Sequence, residues 1–340
     1  MSGCERKAME IMEAIVNLKG NLMEAIVNLG DVPVVERQHA RAGLFRSQSL
    51  MHGPEGTPEN FYLQLAQTYS DFMSPRHRHN FDQVRVQLKG DADFARDGVM
   101  RPGTIGYFPE GVFYGPQSIA DESATLVLQC GGASGSGYIS EERFQAGVTE
   151  LKQYGTFENG IYRRAKEEGG RKNQDAYEAV WEHIQGRRLE YPKGDLGQPV
   201  FMNPEDGAWQ DEPSATGVRR KALGTFSARG LRMSILSVIR GATTQLAPHA
   251  IGFVLHGAGQ SQSGAWQQHA ALRTGAAPGT VSATQDSQLL EIQIPPLEGA
   301  VERVVASGVR TRDIASPGSP SVSTVQKGDA VMQELAHSRA

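Results

Sequence analysis

The chain has 340 residues, a formal net charge of −4 and 39% apolar residues, enough for one large domain or two ordinary ones with a sizeable core. The slightly acidic balance leaves no electrostatic footprint for nucleic acid, and the absence of any run of 18 apolar residues argues against a transmembrane helix or a membrane partner. Cys4 and Cys130 are too few and too distant to read as a disulfide framework, which suits a reducing, cytoplasmic setting.

Residues 1–32 read as a helical extension. MEAIVNL occurs at Met12–Leu18 and again at Met23–Leu29, a period of eleven residues. Eleven residues make about three helical turns, so both copies would present the same face. The repeat reads either as an amphipathic helix docking on a partner or as a frayed helix left by tandem duplication. Glu13, Asn17 and Lys19 interrupt its apolar stretch, so a secretory leader is not expected.

Residues 33–139 turn strand-like. Gly43–Leu50 and Phe61–Tyr69 alternate apolar and polar residues around the turn-rich HGPEGTPEN, and Thr125–Cys130 has the character of a buried strand. With 39 Gly and 17 Pro in the chain, short strands are favoured over long helices. Residues 140–222 form a more charged bridge. Tyr177, Val180, Trp181 and Ile184 recur at helical spacing, and helices are expected over Ser140–Gln153 and Gln174–Gln185 with a solvated loop between them. Residues 223–300 return to strands. Pro278-Gly279-Thr280 echoes Pro102-Gly103-Thr104, and the order of strands and turns repeats that of the first half. The tail, 301–340, is Ser/Pro-rich and reads as partly disordered.

The chemistry concentrates in Ser74–Gln117. His77 and His79 are two apart, so on a strand they face the same side. If Gln83 opens the next strand, Gln83, Arg85 and Gln87 line one face, and Val84, Val86 and Leu88 the other. Three polar residues inside a small barrel are costly unless paired or wet, so a pocket is expected there. Arg85 would place a fixed positive charge beside the His pair, suited to an anionic or enolic ligand. Tyr107 and Tyr114 could supply pocket walls.

This pattern resembles the cupin family. Its first motif is G-x5-H-x-H-x3/4-E-x6-G, matched here by His77, His79 and Gly90. Its second is G-x5-P-x-G-x2-H-x3-N, matched by Gly103, Pro109 and Gly111. The motifs cover about residues 44–131, and strand order extends the likeness to about 223–296, as in bicupins. The resemblance implies a mainly β fold of two cupin-type (double-stranded β-helix, jelly-roll) barrels joined by a helical bridge, and one divalent ion (Fe, Mn, Ni, Cu or Zn) held by His77 and His79. Four positions depart from the pattern. Gln83 stands where the family has its carboxylate ligand, Tyr114 where it has its third histidine, Asp71 for the leading glycine and Ser118 for the closing asparagine. Gln83 is therefore carried over only as an oxygen donor to the ion, and Tyr114 as a phenolate ligand or proton source. Glu110 and Asp82 are the alternative carboxylates, although Asp82 should point away on a regular strand. In the second half, Thr244, Leu246 and Ala250 fall where His77, His79 and Gln83 stand, so that site is expected to be lost.

Two functions follow from the resemblance. One is a cupin oxidoreductase, dioxygenase-like, acting on a small aromatic or polyketide-like oxygenated metabolite in catabolism or secondary metabolism, with Arg85 and Tyr114 as catalytic residues and Gln87 and Tyr107 in the substrate pocket. The other is a non-catalytic bicupin that binds a small molecule without a metal. Cupins often pair through their sheets, which makes a homodimer the candidate assembly.

Overall fold

The computed structural model describes residues 25–38, 43–55, 59–132, 138–165, 170–194, 196–227 and 229–294, with short pieces between 322 and 328. The first copy of the N-terminal repeat, and the tail apart from those pieces, lie outside the described residues. The chain is mainly β and its two halves repeat one plan. In the first, a seven-stranded antiparallel sheet runs in the order Val200–Met202, Ile105–Phe108, Asp82–Lys89, Glu122–Cys130, Phe61–Tyr69, Leu44–His52, Val35–Gln38. A four-stranded sheet of Met73–Ser74, Gln117–Ile119, Ala92–Asp93 and Val99–Met100 covers one face. The second half has the same seven-plus-four arrangement, centred on Ala250–His256, Ser287–Gln293, Leu231–Val238 and Val218–Phe226. Each half is a two-layer sandwich; among the described residues neither closes into a barrel.

The halves exchange edge strands. Ala25–Val27 pairs with Ala271–Arg273 of the second half, while Val200–Met202 from the bridge pairs with Ile105–Phe108 of the first. This corrects two expectations. Over 25–27 the N-terminal extension is strand rather than helix, because its Ala-Ile-Val triplet completes a sheet edge that tertiary pairing rewards more than helix propensity does. The second half also begins before residue 223, since Gln210–Asp211 and Val218–Phe226 pair within its sheet.

The bridge carries helices α1 (Glu141–Leu151) and α2 (Ala176–Gln185), close to the expected spans. Asp175 caps α2 by accepting from the backbone N–H groups of Tyr177 and Glu178, and Gly186 ends it in the left-handed conformation. Part of the segment between them is sheet rather than loop, while residues 166–169 of the expected loop lie outside the described residues. Gly155–Glu158, Ile161–Arg164 and Asn173–Asp175 form a three-stranded sheet, with Tyr162 buried between it and the helices. No helix among the described residues is long and apolar enough to cross a membrane.

Alternation decides where the core sits. Val84 and Val86 point outward from the first sandwich, with Leu63, Leu126 and Leu128, and meet Ile235, Ile251, Phe253 and Leu290 of the second in one buried cluster. The two large sheets thus pack back to back. Their other faces look into their own sandwiches, and they differ: Gln83, Arg85 and Gln87 in the first, Ala250, Gly252 and Val254 in the second.

The motif glycines have separable physical reasons. Gly90 has φ +64, and a Cβ there would stand 2.0 Å from the Glu122 carbonyl oxygen; Gly103 has φ +92 with nothing within 4 Å of a built Cβ. Gly103→Ala should therefore cost only the left-handed backbone penalty, about 1–2 kcal/mol. Gly90→Ala should cost clearly more, because a backbone carbonyl in a paired strand must shift. Chemical denaturation of both variants checks this; equal losses would show that the Glu122 contact is not the constraint.

Candidate active site

Two loops bring the motif residues together. His77 and Tyr114 form an antiparallel bridge, His77 N–H donating to the Tyr114 carbonyl (3.1 Å) and Tyr114 N–H to the His77 carbonyl (2.9 Å). Gly111 N–H donates to the His79 carbonyl at 2.7 Å, which draws the Pro109–Gly111 turn onto the His-x-His segment. The expected convergence is therefore present: His77, His79, Gln83, Arg85 and Tyr114 are all buried at one end of the first sandwich.

His77 Nδ1 lies 2.7 Å from the Pro75 carbonyl, so it carries the proton and Nε2 presents its lone pair. A carbonyl holding the remote nitrogen in this way is the usual support of a metal-ligating histidine. The His77 and His79 rings meet edge-on at 4.8 Å, and His79 stacks on Phe81 at 4.6 Å. The Tyr114 hydroxyl is 3.0 Å from His79 Nδ1 and 3.2 Å from Gln83 Oε1. Arg85 lies along the same face. Its Nε and Nη2 donate to Gln83 Oε1 (3.2 and 3.0 Å), Nη2 also to the Tyr114 hydroxyl (3.1 Å), and Nη1 to Gln117 Oε1 (2.9 Å), while the guanidinium rests 4.6 Å from the Phe108 ring centroid. These amide oxygens and the hydroxyl position the guanidinium.

The donor set can be tested against a divalent ion on these contacts. Two ligands at right angles about an ion, each at about 2.1 Å, stand about 3 Å apart; Tyr114 and His79 have that separation. His77 and His79 present imidazole nitrogen, and Tyr114 is the only one of the two oxygen donors that can acquire a negative charge. Gln83 fits poorly. Its carbonyl oxygen has two lone pairs and already faces three donors, two from Arg85 and one from Tyr114. At an effective dielectric near 20, a divalent ion about 5 Å from a guanidinium is opposed by about 7 kcal/mol, and a phenolate about 3 Å from it is attracted by about 5 kcal/mol. The phenol thus answers both charges where a neutral amide answers neither. The set that fits is His77, His79 and Tyr114, with Arg85 balancing the phenolate.

Two expected pocket residues are elsewhere. Gln87 faces inward but is consumed: Nε2 donates to the carbonyls of Lys89 and Gly90 and to Ser123 Oγ, and Oε1 accepts from Thr125 Oγ1. It ties down the strand end. Tyr107 alternates to the opposite face, in the seam between the halves, where it donates to Asp82 Oδ1 (3.1 Å) and packs on Phe226. Asp82 points there too, as expected. Glu110 lies in the same cleft, packed on Gly132, so neither carboxylate reaches the histidines. Among the described residues no group of three or more His, Cys, Asp or Glu side chains could hold an ion.

The cavity itself measures about 160 Å3, close to the size that accepts a benzene-sized ring. Its apolar walls include Phe45, Phe72, Phe81 and Val127, and Tyr138 together with Glu141, Phe144 and Tyr177 of the bridge also lines it. Gln64 and Gln129 line it as well. The alternation rule applied to Phe61–Tyr69 and Glu122–Cys130 would have found these two glutamines; nothing in the local sequence marks α1 and α2 as part of the lining. In the second half the equivalent space is filled by Leu246, Val254, Trp266 and Leu289. At its rim Arg220 pairs with Glu291 (2.5 Å) and Glu212 (2.9 Å), and Glu291 also accepts from Ser234. The loss of the second site is thereby accounted for.

No protein-family model and no curated sequence matches the chain. Solved structures do. A protein of Nostoc punctiforme described as a "putative dioxygenase" superposes on 82% of this chain and 84% of its own with a TM-score of 0.55 at 12% identity. A variant of Bacillus subtilis oxalate decarboxylase aligns over 82% of this chain and 78% of its own, with a TM-score of 0.47 at 13% identity. The first likeness shows the fold, and the second adds no weight to it. The fold is that of a bicupin. Its first half holds a polar, ligand-sized centre, and its second half is an apolar partner.

Burial raises the Asp82 carboxyl from 3.8 to about 6, against the lowering effect of the Glu110 backbone N–H and the Tyr107 hydroxyl. The folded state then binds this proton more tightly than the unfolded one. Its stabilising contribution is complete below about pH 4 and is lost as pH rises through 6, a change of roughly 3 kcal/mol. Asp82→Asn keeps the accepting oxygen and removes the proton. Wild type should therefore lose roughly 3 kcal/mol relative to Asp82→Asn between pH 4 and 7 in urea titrations; parallel pH profiles would refute the assignment.

Proposed function

We propose that the first half is the active centre of a cupin oxidoreductase, dioxygenase-like, that acts on a small, ring-sized, oxygen-bearing anion. One observation carries the reading: His77, His79 and Arg85 line a cavity of about 160 Å3, and the Tyr114 hydroxyl is bonded to His79 and Arg85 beside it. A divalent ion held by these three residues would polarise a substrate oxygen or activate dioxygen. The chain's own groups supply the rest. Arg85 gives the cavity wall a positive charge that draws the anionic oxygen of the ligand inward. His77, its Nδ1 proton fixed on the Pro75 carbonyl, presents the other ring nitrogen in a constant orientation. Tyr114 can exchange its hydroxyl proton with His79 across 3.0 Å. Phe81, Phe144 and Tyr177 line the cavity and limit water.

A second reading has a specific contact in its favour. Arg85 donates to both oxygen donors of the cluster, Gln83 and Tyr114. If that contact persists with the phenol neutral, the cavity binds the anion without a metal.

Elemental analysis of the purified protein separates the two. Wild type should carry about one divalent transition-metal ion per chain. The His77→Ala/His79→Ala double variant should lose it while keeping its circular dichroism spectrum. Tyr114→Phe should lower metal content sharply, whereas Gln83→Leu should not. Metal-free wild type that still binds a ring-sized anion such as benzoate would overturn the first reading and leave the second.

A further inference from the structure

Beside Arg85 the cavity wall continues onto two neighbouring strands, Glu122–Cys130 and Phe61–Tyr69. Gln64 is registered with Val127, and Gln129 with both Tyr62 and Gln83. Gln64 is 7% exposed and Gln129 is half-buried, yet the Oε1 atoms of both are fully enclosed and have no hydrogen-bond partner among the described residues. Both side chains line the cavity. The other inward glutamines are occupied: Gln83 and Gln117 accept from Arg85, and Gln87 makes four bonds. An amide buried without a partner is destabilising, and native proteins keep few of them, commonly where a ligand or water completes the set. On this face Gln64 adjoins Ala66 and Val127, and Gln129 is flanked by Tyr62 and Gln83, yet neither Oε1 accepts a hydrogen bond from any of them. Exchanging oxygen and nitrogen by rotating the amide does not resolve the deficit, since it turns unmet donors into the same space.

We infer that Gln64 and Gln129 form a subsite that reads hydroxyl groups on the ligand. This rests on the active-centre reading above and deepens it: the ligand is a hydroxylated ring whose anionic oxygen lies toward Arg85 and whose hydroxyl hydrogens are accepted by the two amide oxygens. Val127 lies in register between Gln64 and Arg85, and Gln129 adjoins Gln83, so the two poles stand side by side on one sheet face and favour molecules that carry both. A site built to accept a ligand hydroxyl also rejects the analogue that lacks it, because its buried oxygens then stay unmet.

Isothermal titration calorimetry with benzoate and its mono- and dihydroxy derivatives tests the subsite in wild type, Gln64→Leu, Gln129→Leu and the double variant. At least one hydroxylated benzoate should bind wild type tenfold or more tighter than benzoate itself. The leucine variants should bind benzoate within about twofold of wild type and lose the tenfold gain. In the ligand-free state their melting temperatures should equal or exceed that of wild type, because an unmet buried amide has been removed. If benzoate binds and the hydroxyl gain is absent, or survives in the double variant, the subsite is overturned and the active-centre reading stands. A melting temperature lowered by several degrees would show that the amides hold the fold, and would also overturn it. If no member of the panel binds wild type, the subsite falls together with the anion-binding reading beneath it.

Discussion

The structure depends on the back-to-back packing of its two seven-stranded sheets. Each large strand can offer an apolar row to only one side. The seam takes Val84, Val86, Leu126 and Leu128 from one half and Ile235, Ile251, Phe253 and Leu290 from the other. What remains on the opposite face is free of that demand. In the first half the remainder is Gln64, Gln83, Arg85, Gln87 and Gln129, too polar to pack dry against the four-stranded sheet. The cavity follows from this division, and the exchanged edge strands Ala25–Val27 and Val200–Met202 hold the two halves in the register that maintains it.

Within that cavity Arg85 sets the electrostatics. Its bonds to Gln83, Gln117 and Tyr114 fix its position, and the ring of Phe108 beneath it limits solvent on that side. A carboxylate at position 83 would pair with this guanidinium and cancel it. The amide instead accepts from the guanidinium without adding a charge, which leaves Tyr114 as the ionisable oxygen donor beside it. The departures from the cupin pattern at Gln83 and Tyr114 are in this sense coupled through one side chain.

Much of this was legible from spacing. The His-x-His pair, the Gly90 and Gly103 turns, the two faces of Asp82–Lys89 and the helices of the bridge all follow from local periodicity and backbone stereochemistry. What escaped was set by pairing at a distance. Ala-Ile-Val at 25–27 carries a helical repeat in its sequence and becomes strand because an edge of the distant second half is there to receive it. Tyr107 reads as a pocket aromatic until its register opposite Val84 puts it on the seam. Gln87 is on the right face, but its amide is claimed by the turn at Gly90 and by Ser123 and Thr125 of the neighbouring strand.

The contrast between the halves shows what a binding centre requires of this fold. Both use the same strand order and the same antiparallel pairings. Where the first has Arg85 on its central strand, the second has Gly252, and Arg220 lies three strands further along, paired with Glu291 and Glu212. An arginine matched by carboxylates has no charge left to offer a ligand, and Leu246, Trp266 and Leu289 fill the space a ligand would need. The second half is thus a sandwich whose interior is filled by its own side chains. The first keeps a cavity, and the enclosed amide oxygens of Gln64 and Gln129 mark where a ligand would complete it.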